Sequence, residues 1–326
     1  MPLSPTPPQS SRGDPRRRDV AAWQLAGLPQ GNDLEAARAW CRRLASEHYE
    51  NFTVATRLVP PRLRQDLANV YAYARWSDDL ADEAATPAAA AVALADWRQR
   101  LEACFAGAPN HPVFVALADT ARATGLSIVP FADLLDAFDE DRSHDSLGTT
   151  VRYATRAHLL DYCRKSAAPV GRIVLALEGC HDAELVAMSD SICSGLQLVN
   201  FWQDIRRDRE AGRVYLPADD MRRHGVDETA LDAPSASLPL RGLLREEVEW
   251  ARQLFDAGAG LVGRAPRGLR PAIAIFLAGG RAVADCLERA GFDTLSVRPT
   301  VGRWRKAGLA ARAACSATLA SLSGWR

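Results

Sequence analysis

The chain has 326 residues, 40 Lys and Arg against 40 Asp and Glu, and 48% hydrophobic residues. Balanced charge, with the basic residues spread through the chain, excludes a nucleic-acid surface as the main partner and points to a small ligand. The seven cysteines (Cys41, Cys104, Cys163, Cys180, Cys193, Cys286 and Cys315) form no CxxC pair, and neither an HExxH helix nor zinc-like histidine spacing occurs, so the cysteines read as small core residues of a reduced cytoplasmic protein.

The length allows two domains, but a helical fold of roughly 250–300 residues closes around one core, and one domain is expected. The longest apolar stretches, at 173–177 and 273–277, fall short of the ~20 residues of a membrane span. Arg16-Arg17-Arg18 has the charge of a signal-peptide start, but Asp19, Gln24 and Gly27 interrupt any apolar stretch behind it.

In chain order, residues 1–32 are rich in Pro, Ser and Arg without apolar periodicity, which predicts a disordered leader. From Asp33 onward apolar residues recur at helical spacing, as in Leu34, Ala37, Cys41 and Leu44, and alternating β-branched runs are scarce. Residues 33–326 are therefore expected to form one all-α domain. Pro60-Pro61, Pro109-Asn110, Pro130, Gly148, Gly179, Pro217, Pro234, Pro266 to Gly268 and Pro299 punctuate its helices. Pro169 is expected to bend or end a helix just before Val170 and Gly171, where glycine permits close backbone approach. The polar stretch 219–239 reads as the loosest internal loop, and no repeat period is evident.

Two acidic runs carry most of the chemistry. Asp78 and Asp82 in the first, and Asp204 and Asp208 in the second, stand four residues apart, so each pair projects from one helix face. Such pairs repel unless cations sit between them, and carboxylate oxygens beside water and phosphate suit Mg²⁺. Either run alone reads first as a solvated helix face. Here both follow apolar helical approaches, Val70 to Arg75 and Gly195 to Asn200, and charges carried in by buried helices need partners. Arg75 reads equally as an ordinary ion pair with Asp78 or Asp79, and Tyr71 as a core aromatic. Phe201 and Trp202 read as core or cavity wall, and the acidic run Asp133, Asp136, Asp139, Glu140 and Asp141 as a solvated face.

The order of these segments resembles the squalene/phytoene synthase family over roughly residues 35–310. It is carried by Tyr71 and Arg75 before Asp78 and Asp82, Tyr162-Cys163 before Val170-Gly171, Asn200, Asp204 and Asp208, the segment Gly212-Arg213-Val214-Tyr215-Leu216-Pro217, and Arg298. Within the family, 48–55, 166–171 and 200–204 resemble most the bacterial hopanoid-pathway squalene synthases of the HpnC type, which act as hydroxysqualene synthases. The resemblance implies a single-domain class I isoprenoid synthase fold around a central apolar cavity, with Mg²⁺ and diphosphate at its mouth. It implies metal ligation by Asp78, Asp82, Asn200, Asp204 and Asp208, and diphosphate contacts from Arg75 and Arg298. His48, Tyr71, Arg213 and Tyr215 enter as further site residues.

Three departures bear on the reaction. Glu50 and Asn51 stand where many members carry a basic residue and serines, Gln203 stands where they carry Arg, and the late tyrosine of carotenoid-forming members has no counterpart in 277–283. These favour conversion of presqualene diphosphate to hydroxysqualene over joining two farnesyl groups. The rival readings are a synthase condensing two prenyl diphosphates to presqualene diphosphate or phytoene, and a non-enzymatic scaffold retaining the fold. Retention of the four aspartates with Arg75 and Arg298 weighs against the scaffold. The implied partner is a lipophilic prenyl diphosphate. Gly302 to Lys306 reads first as ordinary terminal helix and second as a peripheral contact with the inner face of an anionic membrane.

Overall fold

The computed structural model describes residues 28–29, 31, 33–47, 59–82, 84, 86–147 and 150–302. Among them are twelve α-helices and two 3₁₀ turns, and the only extended pairing is a parallel bridge between Val151 and Val214. The all-α expectation holds. The domain is built from α1 (Leu34–Glu47), α2 (Arg64–Asp82), α3 (Pro87–Phe105), α4 (Pro112–Thr124), α5 (Val129–Leu147), α6 (Arg156–Ser166), α7 (Ala168–Leu177) and α8 (Ala183–Glu210). It continues through α9 (Ala218–Arg223), α10 (Leu238–Gly258), α11 (Leu261–Arg264) and α12 (Arg270–Arg289). The leader call falls almost wholly outside the described residues.

Helix starts follow local chemistry. Thr86, Thr155, Asp182 and Ser237 each cap a helix by accepting a first-turn backbone N–H, and His111 does the same for α4. Proline occupies the first turn of α3, α4, α7, α10 and α12, where its missing N–H costs no hydrogen bond. Pro169 is among these, so α6 does end before it, at Ser166.

Two packed groups result. In the first, α2 lies against α1, α3, α4 and α5, and an aromatic cluster locks them together. The rings of Trp76 and Trp97 stack at 5.6 Å and 10°, Tyr73 meets Phe131 edge-on, and the Tyr73 hydroxyl donates to the Phe131 carbonyl at 2.9 Å. Each fully buried ring contributes about 1.5–3 kcal/mol. Burial among these rings pushes His111 down to about 4, so it is a neutral cap at physiological pH.

In the second group α8 is the axis, packed by α6, α7, α10 and α12. Gly171 makes the α7 contact possible, because a Cβ there would overlap Ser189 Oγ and stand 2.8 Å from Cys193 Sγ. Helix α5 joins the groups, touching α2 and α3 on one side and α6 and α7 on the other. No described helix is long and apolar enough to cross a membrane.

Two expectations need correction. Residues 219–239 are not a loose loop: they contain α9 and a 3₁₀ turn over Glu228–Asp232. Arg209 holds that turn through Asp232 at 2.8 Å and Glu228 at 2.9 Å, so its polar residues are spent on order. The acidic run of α5 is only in part a solvated face, with Asp136 exposed. It is a seam of ion pairs to neighbouring helices, Asp133 with Arg172 (3.2 Å), Asp136 with Arg98 (2.6 Å) and Glu140 with Lys165 (3.0 Å). Polarity in sequence marks charge, not the distant partner that neutralises it.

Candidate active site

Both acidic runs lie near the C-terminal ends of their helices, where backbone carbonyls already place partial negative charge. Each therefore demands cations, and each obtains them differently.

On α2, Arg75 answers the demand locally. Its guanidinium pairs with Asp79 one turn on, and with Asp78 at 3.2 Å. Asp79 is buried, its side chain 2% exposed, whereas the Asp78 side chain is 45% exposed. The ordinary ion-pair reading of Arg75 is thus realised, and Asp78 remains the outward carboxylate. Asp82 closes the helix, and its side chain lies outside the described residues. Tyr71 is half-buried and packs on the core.

On α8, Asn200, Asp204 and Asp208 follow one another at single-turn spacing. Asp204 has a local cation, Arg207 at 3.6 Å, and a closer one from 94 positions away: Arg298 donates Nε to Oδ1 at 2.5 Å and Nη2 to Oδ2 at 2.9 Å, a two-pronged grip. Arg298 also reaches Gln203 Oε1 at 3.3 Å. The Gln203 amide in turn donates to the Pro299 carbonyl. Arg206 donates to the carbonyls of Leu295 and, at 2.9 Å, Ala233. The segment carrying Arg298 is therefore strapped onto α8 by side-chain to backbone bonds.

Asp208 stands deeper. Burial first, then the like charge of Asp204, pushes its carboxyl up to about 7, against the opposing pull of Arg213, Arg207 and Arg152. It borders a small cavity lined also by Phe201, Trp202, Arg213 and Tyr215. Phe201 and Trp202 are thus core and cavity wall, as the sequence implies. The Tyr215 ring stacks on Phe201 at 3.8 Å and 8°. The segment 212–217 is placed by backbone bonds, Arg213 N to Asp208 O at 2.7 Å and Val214 N to Thr150 O at 2.9 Å.

The donor chemistry fits a hard divalent cation such as Mg²⁺, since all the available ligands are carboxylate or amide oxygens and Asp208 carries a cost that a cation relieves. Among the described residues no three His, Cys, Asp or Glu side chains gather closely enough to hold a metal by themselves. His48, Glu50 and Asn51 lie outside the described residues, as do Trp304, Arg305 and Lys306.

The family is decided by comparison. The squalene/phytoene synthase family model matches residues 45–305. The chain belongs to that family. Members are isoprenoid synthases, enzymes that use a divalent metal with diphosphate substrates. A hydroxysqualene synthase of Zymomonas mobilis is 33% identical over 80% of this chain and 86% of its own. A phytoene synthase of Arthrospira platensis is 29% identical over 82% of this chain and 88% of its own. The crystal structure of squalene synthase HpnC from Alicyclobacillus acidocaldarius superposes with a TM-score of 0.74 at 37% identity, covering 82% of this chain and 98% of that one.

Sequence reading missed three residues beside the site. The Asp141 carboxylate accepts from Tyr162 Oη at 2.7 Å and from Arg152 Nη1 at 2.8 Å, and the Arg152 side chain is 0% exposed. In the sequence Tyr162-Cys163 stands out only as a family segment, and Asp141 only as part of a charged run. A basic residue between Val151 and Tyr153 was the available signal.

Proposed function

We propose that this enzyme converts presqualene diphosphate to hydroxysqualene with release of diphosphate. The observation that carries the reading is Gln203. It is buried beside Asp204 and spends its amide on Pro299 and Arg298, at a place where the family resemblance puts an arginine. The motif thus lacks that arginine, and Arg298 grips a diphosphate beside it. That suits ionising a single bound diphosphate better than holding two for condensation. The likeness to a hydroxysqualene synthase and to HpnC supports the same reading.

In this proposal Asp78 and Asp82 on α2, and Asn200, Asp204 and Asp208 on α8, hold Mg²⁺. Bound Mg²⁺ supplies neutralisation of the charge that develops on the departing diphosphate. Arg298 and Arg75 exchange their carboxylate partners for phosphate oxygens, which a planar guanidinium binds through two parallel hydrogen bonds. The carbon–oxygen bond to diphosphate breaks and diphosphate leaves with the electron pair. The rearranged carbocation takes the oxygen of water, and the proton of that water goes to solvent. Buried aromatic walls such as Phe201, Trp202 and Tyr215 keep other water away until then. Tyr71, His48 and Arg213 complete the substrate contacts, and Glu50 and Asn51 replace a basic residue that would hold a second diphosphate. The reaction needs no NADPH.

The 29% identity to a phytoene synthase favours the second reading, condensation of two prenyl diphosphates. Incubation with presqualene diphosphate in ¹⁸O-water decides between them: the label is expected in hydroxysqualene. Efficient conversion of farnesyl diphosphate to presqualene diphosphate or phytoene, with no ¹⁸O entering the product formed from presqualene diphosphate, contradicts the proposal. Glu50→Lys is expected to reduce alcohol formation.

A further inference from the structure

Away from the reaction site, two carboxyl groups are buried together where α6, α9 and α10 meet. Asp220 on α9 is 2% exposed and Glu247 on α10 is 0% exposed. Both approach the guanidinium of Arg156, in the first turn of α6: its Nη2 donates to Glu247 Oε1 at 3.0 Å, and its Nε lies 3.0 Å from Asp220 Oδ2. Glu246 at 3.1 Å and the Trp250 ring at 5.2 Å hold Arg156 in place. The remaining charged groups lie toward solvent. Arg223 pairs with Asp220 Oδ1 and, at 2.6 Å, with Glu246, while His224 Nε2 stands 2.9 Å from Glu246 Oε2. His224, Arg223 and Arg156 together keep the Glu246 carboxyl down at about 2, so it is ionised.

The buried pair is served unevenly. Asp220 Oδ2 and Glu247 Oε2 are enclosed and accept no hydrogen bond. The two carboxyls lie within hydrogen-bonding reach of each other, so two bare carboxylates would repel and leave both oxygens unsatisfied. One proton between them serves both, because a protonated carboxyl donates its O–H and still accepts from Arg156. Burial, against the opposing pull of Arg156, pushes the Glu247 carboxyl up to about 8, in the same direction.

From this geometry we infer that Glu247 carries a proton shared with Asp220, and that this proton is a pH-sensitive clasp fastening α9 to α10 beside α6. Glu247 titrates near 4.5 in the unfolded chain, so the folded chain binds the proton more tightly. The stability it contributes is full below about pH 4.5, declines as pH rises, and is lost through about pH 8.

The experiment compares the full-length protein with Glu247→Gln, whose amide donates to Asp220 and accepts from Arg156 at any pH. The variant is expected to melt close to wild type at pH 5 and about 4–8 °C above it at pH 9. Asp208 titrates alike in both proteins and cancels from the gap. A variant that melts below wild type by the same margin at both pH values shows an ionised Glu247 paired with Arg156, and overturns the inference. Infrared difference spectra supply the direct signature. Wild type minus Glu247→Gln at pH 6 is expected to show the carbonyl band of a protonated carboxyl, lost by pH 9.5. Asp220→Asn frees Glu247 to ionise against Arg156, so the same band is expected in wild type minus Asp220→Asn, which carries the test should Glu247→Gln not fold. Absence of the band from either difference overturns the shared proton.

Discussion

The two acidic runs look alike in sequence and differ in how their charge is balanced. On α2 the balance is local: Arg75 pairs with Asp78 and Asp79 from within the same two turns. On α8 a looser local pair, Arg207 with Asp204 at 3.6 Å, is supplemented by a remote one, and the balance is incomplete. Asp204 is gripped by Arg298 from 94 positions away, while Asp208 is left high in pKa by burial and by Asp204. The first run is therefore a prebuilt ion-pair platform on a rigid aromatic core. The second is the place where an added cation relieves the most unfavourable charge. A repeated motif can thus divide labour, one half holding position and the other supplying the electrostatic driving force.

The largest effect that would break this comparison comes from the aspartates proposed to hold the metal. Asp204→Asn and Asp78→Asn keep size and lose charge, so turnover with saturating Mg²⁺ is expected to fall by about two to three orders of magnitude with the fold intact. Diphosphate release measured alongside circular dichroism checks it. Near-normal turnover in either variant removes that aspartate from the site.

Next comes the remote arginine. Arg298→Lys keeps the charge but loses the two-pronged fork seen on Asp204. Affinity for substrate and for inorganic diphosphate is expected to weaken together, by roughly tenfold. Unchanged diphosphate affinity would make Arg298 only a strap for α8.

A smaller effect separates the runs by pH. The Asp208 carboxyl rises from 3.8 to about 7 on folding, so the folded chain binds that proton more tightly than the unfolded chain. Its contribution to stability is present below about pH 4, declines as pH rises to about 7, and is flat above. Partial solvent access keeps the effect modest. Asp208→Asn is expected to melt about 2–4 °C above wild type at pH 8 without metal, and the gap should narrow toward pH 5. A gap that is constant with pH contradicts the assignment.

The smallest effect tests the platform. Asp79 is the buried partner of Arg75, so Asp79→Asn is expected to cost about 1–3 kcal/mol of stability in urea titration. Turnover should fall far less than in Asp78→Asn. Equal losses of turnover would mean that Asp79 serves the reaction as much as Asp78 does.

Much of this arrangement was legible in the sequence because it is local. Proline in the first turn of a helix, threonine or aspartate ahead of it, and aspartates at four-residue spacing have near-neighbour causes, and the structure realises them. The Pro169 break and the close approach at Gly171 belong to the same class. The ion-pair seam of α5 was not legible, since Asp141 finds Tyr162 and Arg152 only when α6 packs beside α5. Nor was the order in 219–239, which depends on Arg209 reaching across from α8. Composition registers polarity in both places, and only tertiary packing decides whether polarity faces water or a partner.

The central claim is that the two runs serve one metal–diphosphate group. It is tested most directly by ³¹P NMR titration of wild type, Asp78→Asn and Asp204→Asn with inorganic diphosphate, with and without Mg²⁺. The account predicts that wild type binds diphosphate only with Mg²⁺, and that either substitution, on either helix, abolishes that binding. Diphosphate binding that ignores Mg²⁺, or that survives loss of the α2 aspartate while failing without the α8 one, would contradict it.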